Sequence, residues 1–113
     1  MIFGDGEQSR DFTYVDNAVE ACLLACTASQ AVGKVFNVAT GQRYSLNRVF
    51  AYLRSIIGAN IEPIYGQPRP GDILHSQADI SLARQELGYE PKVLLEEGLS
   101  RTVAWYQENR KVY

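Results

Sequence analysis

Two short stretches hold residues whose types and spacing suit chemistry on an anion. In Arg69-Pro70-Gly71-Asp72 an arginine and a carboxylate stand three residues apart, and Pro68 and Pro70 limit the backbone around the arginine. A planar guanidinium gives bidentate contacts to phosphate oxygens, and a carboxylate accepts hydrogen bonds from sugar hydroxyls. Such a pair can hold the phosphate and ribose of a nucleotide together; taken alone, an ordinary polar loop is the alternative. The other stretch is GDGEQSRDF, residues 4–12. Its glycines suggest a phosphate-binding loop, but a phosphate cradle needs backbone N–H groups at a helix N-terminus, reinforced by lysine or arginine. Here the glycines lead into a strand-like run, and Asp5 and Glu7 would repel a phosphate. The spacing fits neither G-x-G-x-x-G nor G-x-x-x-x-G-K-[ST]. The stretch reads as a hairpin turn, with Gly4-Asp5-Gly6 joining Met1–Phe3 to Arg10–Val15. Arg10 then has a fixed direction on the second strand, either toward an anion or in a surface ion pair with Asp5, Glu7 or Asp11.

Other reactive side chains are few. Cys22 and Cys26 lie four apart within a predicted helix, a spacing that does not favour a disulfide, and the single histidine, His75, is distant in sequence. Both cysteines are expected to be small core thiols, with no metal site. No nucleophile–base pair or acid pair stands out. The formal net charge is −2 and the pI near 5.3, so no basic excess points to nucleic acid or an anionic membrane surface. No apolar run reaches membrane-spanning length and no leader pattern opens the chain, so the cytoplasm is the expected location.

The elements that must position these residues form a small mixed α/β structure. With 113 residues and 46% apolar content, one domain with a sizeable core is expected over residues 1–113. A helix is predicted from Asn17 to about Ser29, opened by a capping-box-like Asn17/Glu20 pair and buried along Val19, Cys22, Leu23 and Cys26. Lys34–Ala39 reads as a short strand. Ser45 caps an amphipathic helix carrying Leu46, Val49, Phe50, Leu53, Ile56 and Ile57, stopped at Gly58. Ile61–Tyr65 is strand-like, Gly66–Asp72 is irregular, and Ile73–Ala78 is a short extended piece. A helix over Leu82–Leu87 starts at Asp79 or Ser81 and ends at Gly88. The last helix, about Leu95–Asn109, places Leu95, Leu99, Val103 and Tyr106 on one face. The regular βαβ repeat of a complete nucleotide-binding domain is missing.

Four segments in series carry a family resemblance: GDGEQSRDFTYVDNAVEA, VFNVATGQRYSL, RPGDILHSQADISLARQELGYEPK and LEEGLSRTVAWY. Together they resemble the C-terminal part of NAD-dependent nucleotide-sugar epimerases and dehydratases, which are extended short-chain dehydrogenases/reductases. The pattern is most similar to the UDP-N-acetylglucosamine and UDP-glucose 4-epimerases, and Asn17 sits where many relatives carry Asp. The resemblance implies that Arg10 and Arg69 contact the nucleotide diphosphate, that Asp72 holds the ribose, and that Asn37 and Val38 lie near the nucleotide. It also implies a UDP-sugar as partner.

The family's chemistry further implies an N-terminal Rossmann domain with a G-x-x-G-x-x-G loop for NAD, and a Tyr-x-x-x-Lys pair. Neither motif occurs here: Tyr65 is followed at that spacing by Arg69, and Tyr106 by Arg110. The chain alone is therefore expected to bind no NAD and to hold no catalytic residue. It reads as the substrate-binding portion of an epimerase or dehydratase, or else as a free-standing binding or interaction module. Either way, self-association or a Rossmann partner is expected to cover apolar surface. An unrelated complete small enzyme is the weakest alternative.

Overall fold

The computed structural model describes residues 1–109. In chain order it contains β1 (Ile2–Phe3), β2 (Ser9–Arg10), α1 (Val15–Thr27), a single 3-10 turn at Ser29–Ala31, β3 (Tyr44–Ser45), α2 (Leu46–Ile57), β4 (Tyr65–Gly66), α3 (Ser81–Leu87) and α4 (Leu95–Glu108). The mixed α/β class is as expected. The strand pairing is not.

β1 and β2 do not form a hairpin. β1 runs parallel to β4, with Ile2 opposite Tyr65 and Phe3 opposite Gly66, and β2 runs antiparallel to β3, with Ser9 opposite Ser45 and Arg10 opposite Tyr44. On its other side β2 meets the 74–76 segment, where Ser9 N donates to Leu74 O (2.8 Å) and Ser76 N to Ser9 O (3.0 Å). The 4–8 loop is held by β4, where Gly4 N donates to Gly66 O at 3.0 Å, and by α2. Asn47 N donates to Gly6 O, and the Asn47 amide donates to Asp5 O and to Glu7 Oε1. Gly6 has φ +79°, and a Cβ there would stand 2.0 Å from Asn47 Oδ1, so only glycine lets the loop close onto this side chain.

The second helix follows its sequence signals. Ser45 Oγ accepts from Arg48 N at 3.3 Å, and Gly58 closes α2 in the left-handed conformation. In α3, Ser81 N donates to Asp79 Oδ1 at 2.9 Å and Gly88 ends the helix. α4 spans the expected residues and packs on α2, with Leu95 buried, Leu99 and Val103 half-buried, and Tyr106 exposed. Arg110, four residues beyond Tyr106, lies outside the described residues.

α1 departs from expectation. It begins at Val15, after an extended Tyr14, so Asn17 is not a cap but the third helical residue, 1% exposed. Its amide nitrogen donates to Val93 O (2.6 Å), and its oxygen accepts from Lys92 N (3.0 Å) and Val93 N (3.1 Å). Glu20 pairs with Lys92. Asn17 thus supplies the ladder that the 92–93 backbone lacks, and this pins the face of α1 carrying Asn17 and Ala21 inward. Val19, Cys22, Leu23 and Cys26 accordingly face outward, contrary to expectation, and both cysteines are exposed free thiols. A helix apolar on nearly every side gives periodicity nothing to choose by; the buried amide made the choice.

Lys34–Ala39 is not a strand, because no second strand lies beside it among the described residues. Ala39 O instead accepts from the buried Tyr89 hydroxyl at 2.8 Å. Ile61–Tyr65 contributes only Tyr65 to β4, and Arg10–Val15 only Arg10 to β2. The core is small: Ala21, Ala39, Ile80, Ala83, Leu87 and Tyr89, with Phe36 and Val38 packed on it. The radius of gyration is 16.7 Å, against about 13 Å for a compact domain of this length. A body 22 Å thin leaves Val15, Val19, Leu23, Val32 and Val35 more than half exposed.

Candidate substrate-binding site

Arg69-Pro70-Gly71-Asp72 forms a tight turn. Asp72 N donates to Arg69 O at 3.2 Å, Pro70 takes the second position and Gly71, at φ +78°, the third, the residue pattern of a type II turn. The turn sends its two charged ends to different partners. The Arg69 guanidinium lies over the Phe3 ring, 3.9 Å from its centroid, while Asp72 Oδ1 accepts from Arg10 Nη2 at 2.9 Å. Arg10 therefore pairs with Asp72, not with Asp5, Glu7 or Asp11.

Arg10 is held from both flanks. Its Nη1 donates to Ser9 O at 2.9 Å on its own strand and to Leu74 O at 3.4 Å on the adjoining segment. Both side chains of the Arg10–Asp72 pair are about one-third to two-fifths exposed, so solvent screening limits the pair to at most about 1 kcal/mol of stability. Phe3, Gln8, Arg69, Asp72 and Leu74 line one open recess. Arg10, Asn37, Val38, Ser76 and Gln77 line a second, of about 430 Å³, within the usual size of small-molecule sites (roughly 300–1,000 Å³). The Arg10–Asp72 contact joins the two. All five residues singled out from sequence thus fall on this double recess. A larger apolar recess between α2 and α4 contains none of them.

Sequence reasoning missed three supports of the site. Phe3 reads as part of an apolar run, yet its ring carries Arg69. Asp11 reads as a partner for Arg10, yet its carboxylate accepts from Thr40 N (3.0 Å), Thr40 Oγ1 (2.5 Å), Gly41 N (2.9 Å) and Ala78 N (3.4 Å), tying the 40–41 turn and the 78 segment to the end of β2. Ser9 Oγ and His75 Nδ1 lie 2.9 Å apart, a second link between β2 and the 74–76 segment. An acid directly after an arginine on a strand is the one signal that points to Asp11, since neighbours on a strand diverge. Asn37 bonds only weakly, its amide reaching Asp79 O at 3.4 Å.

The first turns of α1 and α4 carry Asp16 and Glu96/Glu97, which oppose an anion, and the Asp79 carboxylate takes the first free N–H of α3. The Gly4–Gly6 loop leads into a strand. Among the described residues no cluster of three histidine, cysteine or acidic side chains could hold a metal ion, and no helix is long and apolar enough to cross a membrane.

Comparison with known proteins places this geometry in a family. The sequence profile of the GDP-mannose 4,6 dehydratase family matches residues 1–102. The putative UDP-glucose 4-epimerase of Methanocaldococcus jannaschii is 37% identical over 111 residues, covering 98% of this chain and 35% of that protein. The UDP-glucose 4-epimerase of Thermotoga maritima, solved with UDP-glucose, is 45% identical with a TM-score of 0.90, over 96% of this chain and 35% of that one. The UDP-glucuronic acid 4-epimerase of Bacillus cereus, solved with UDP-glucuronic acid and NAD, is 33% identical with a TM-score of 0.84, over 99% and 35%. The chain spans about a third of the length of the curated relatives it matches. It belongs to the GDP-mannose 4,6 dehydratase family and corresponds to the C-terminal portion of the nucleotide-sugar epimerases and dehydratases.

Proposed function

We propose that residues 1–113 form a single domain that binds the nucleotide part of a UDP-sugar for an NAD-dependent 4-epimerase or dehydratase, and that this chain is not catalytic alone. Arg10 and Arg69 meet the diphosphate, Asp72 accepts from a ribose hydroxyl, and Asn37 and Val38 lie along the nucleotide. One observation carries the reading: two arginines and a carboxylate, brought from segments some 60 residues apart, line adjoining recesses at the Arg10–Asp72 contact. In Arg10 the Nε–H and one Nη2–H have no partner among the described residues, and the Arg69 guanidinium makes no hydrogen bond there, so donors remain for phosphate oxygens.

NAD, where relatives hold it, supplies hydride chemistry; this chain's residues bind and orient the sugar nucleotide. The tyrosine base and the dinucleotide cradle belong to a Rossmann partner, and the outward stripe Val15, Val19, Leu23 with the exposed Val32 and Val35 is the surface offered to it or to a second copy. The cytoplasm suits two exposed free thiols.

Calorimetric titration with UDP, UDP-glucose, UDP-N-acetylglucosamine, dTDP and GDP tests the proposal. The UDP compounds should bind, and Arg10→Ala and Arg69→Ala should each weaken UDP by roughly 1.5–3 kcal/mol, the worth of a charge-assisted contact. Equal affinity in wild type and both variants would return the arginines to ordinary surface charge. Interconversion of UDP-sugars by the purified chain with added NAD would overturn the claim that it is not catalytic alone.

A further inference from the structure

If Arg10 meets a diphosphate, as proposed above, its pairing with Asp72 has to be accounted for: the guanidinium meant for a phosphate already has an anion at 2.9 Å. The two partners are held very differently. Arg10 is fixed by backbone carbonyls on both sides, Ser9 O and Leu74 O, so it stays in place whether or not Asp72 is near. Asp72 sits at the exposed end of the 69–72 turn, and Arg10 is the sole side-chain partner of its carboxylate among the described residues. Its backbone bond to Arg69 O keeps the turn closed regardless of where the side chain points. One member of the pair is built in; the other is free to leave.

A phosphate that takes the free Nε–H and second Nη2–H of Arg10 shares Nη2 with this carboxylate and stands against it. They carry like charge, and the Asp72 carboxylate, about two-fifths exposed, is solvated by water once it leaves the guanidinium. Resting on the diphosphate reading, we propose that Asp72 is the resident counter-ion of Arg10: an entering phosphate displaces the carboxylate from the guanidinium, and the released carboxylate turns to accept from the ribose hydroxyl. Asp72 therefore opposes the diphosphate and favours the sugar. A ligand with both parts repays the displacement; a bare phosphate does not. The site discriminates nucleotides from inorganic phosphates through one exchange of partners.

The test compares pyrophosphate with UDP on the whole chain. Asp72→Asn keeps the shape, the turn and an oxygen for Arg10, and removes only the charge. Pyrophosphate should bind Asp72→Asn about five- to tenfold more tightly than wild type, and UDP should gain less or lose slightly, because the ribose gives up a charged acceptor. Asp72→Ser, which also lacks the charge, should show the same preference for pyrophosphate, and thermal melts of both variants verify the fold. A merely structural Asp72 would lower the affinity for both ligands together. Unchanged or weaker pyrophosphate binding in Asp72→Asn and Asp72→Ser overturns the exchange. Arg10→Ala separates the two levels of inference. If it weakens UDP while the Asp72 variants gain nothing for pyrophosphate, the exchange fails and the diphosphate reading stands; if Arg10→Ala leaves UDP and pyrophosphate unchanged, the diphosphate reading itself fails.

Discussion

Replacing Asn17 separates two explanations of why an amide stands in the first turn of α1. As an N-cap, Asn17 would be exchangeable for serine with little loss, since both cap well. As the pin of the 92–93 backbone it is not, because a serine hydroxyl is too short to bridge Val93 O, Lys92 N and Val93 N at 2.6–3.1 Å. In Asn17→Ala or Asn17→Ser, water can reach Lys92, which is exposed, but not Val93, which is 6% exposed. Two buried backbone groups are then left unsatisfied, at about 1–2 kcal/mol each, and the lost amide leaves a small void. The expected cost is about 3 kcal/mol. A chain of 113 residues has roughly 6–17 kcal/mol in total, so both variants should fold with a Tm lower by about 10–15 °C. Thermal unfolding measured by circular dichroism gives the shift, and hydrogen exchange should show the Val93 amide losing protection first. Asn17→Ser within about 0.5 kcal/mol of wild type would refute the pinning role and restore the cap.

The same contacts set four other outcomes. Tyr89→Phe should cost about 1–3 kcal/mol in denaturant unfolding, because the buried Ala39 carbonyl loses its hydroxyl donor. The Ser81 side chain, together with its amide, holds the Asp79 carboxyl below its ordinary value, so that contribution is present above the unfolded-chain pKa (about 3.9) and lost as pH falls through the lower folded value; Asp79→Asn should flatten melting temperature against pH in that acid window and not above it. Arg69→Lys should weaken UDP nearly as much as Arg69→Ala in calorimetry, since an ammonium reproduces neither the guanidinium contact over the Phe3 ring nor a bidentate phosphate contact. Leu23→Asp on the outward stripe should shift the chain toward monomer in sedimentation, whereas a wild type that is strictly monomeric at high concentration would count against that surface as an interface.

What could be read in the sequence was what local chemistry decides. α2 carries its own start and stop in Ser45 and Gly58, and α3 its Asp79 and Gly88. Gly66–Asp72 reads only as irregular, and its tight turn at 69–72 is not foreseen. Where a partner distant in sequence decides, the reading failed. Gly4-Asp5-Gly6 has hairpin composition, but Asn47 and β4 supplied better partners than β2. Lys34–Ala39 has strand composition, but a ladder needs a neighbour, and none stands there among the described residues. α1 is apolar on most sides, so its inward face was set by the polar bonds of Asn17, which hydrophobic periodicity discounts. The exposed valines and cysteines result from that same choice.

Arg10 and Asp11 show how site and fold are built from adjacent residues. Strand alternation sends neighbouring side chains apart, so two opposite charges in sequence need not pair. Asp11 spends its carboxylate on Thr40, Gly41 and Ala78, which fixes the end of β2 against the 37–41 and 76–78 segments. Those segments line the recess beside Arg10. With its sequence neighbour committed to the fold, Arg10 is left to an acid from the far turn, held at 2.9 Å by a side chain free to leave. Had Arg10 and Asp11 paired with each other, the 40–41 turn would have lost its anchor and the guanidinium would have been neutralised by a neighbour unable to move away. The separation of the two charges lets Asp11 hold the recess together while Arg10, on the proposed reading, remains available to an anion inside it.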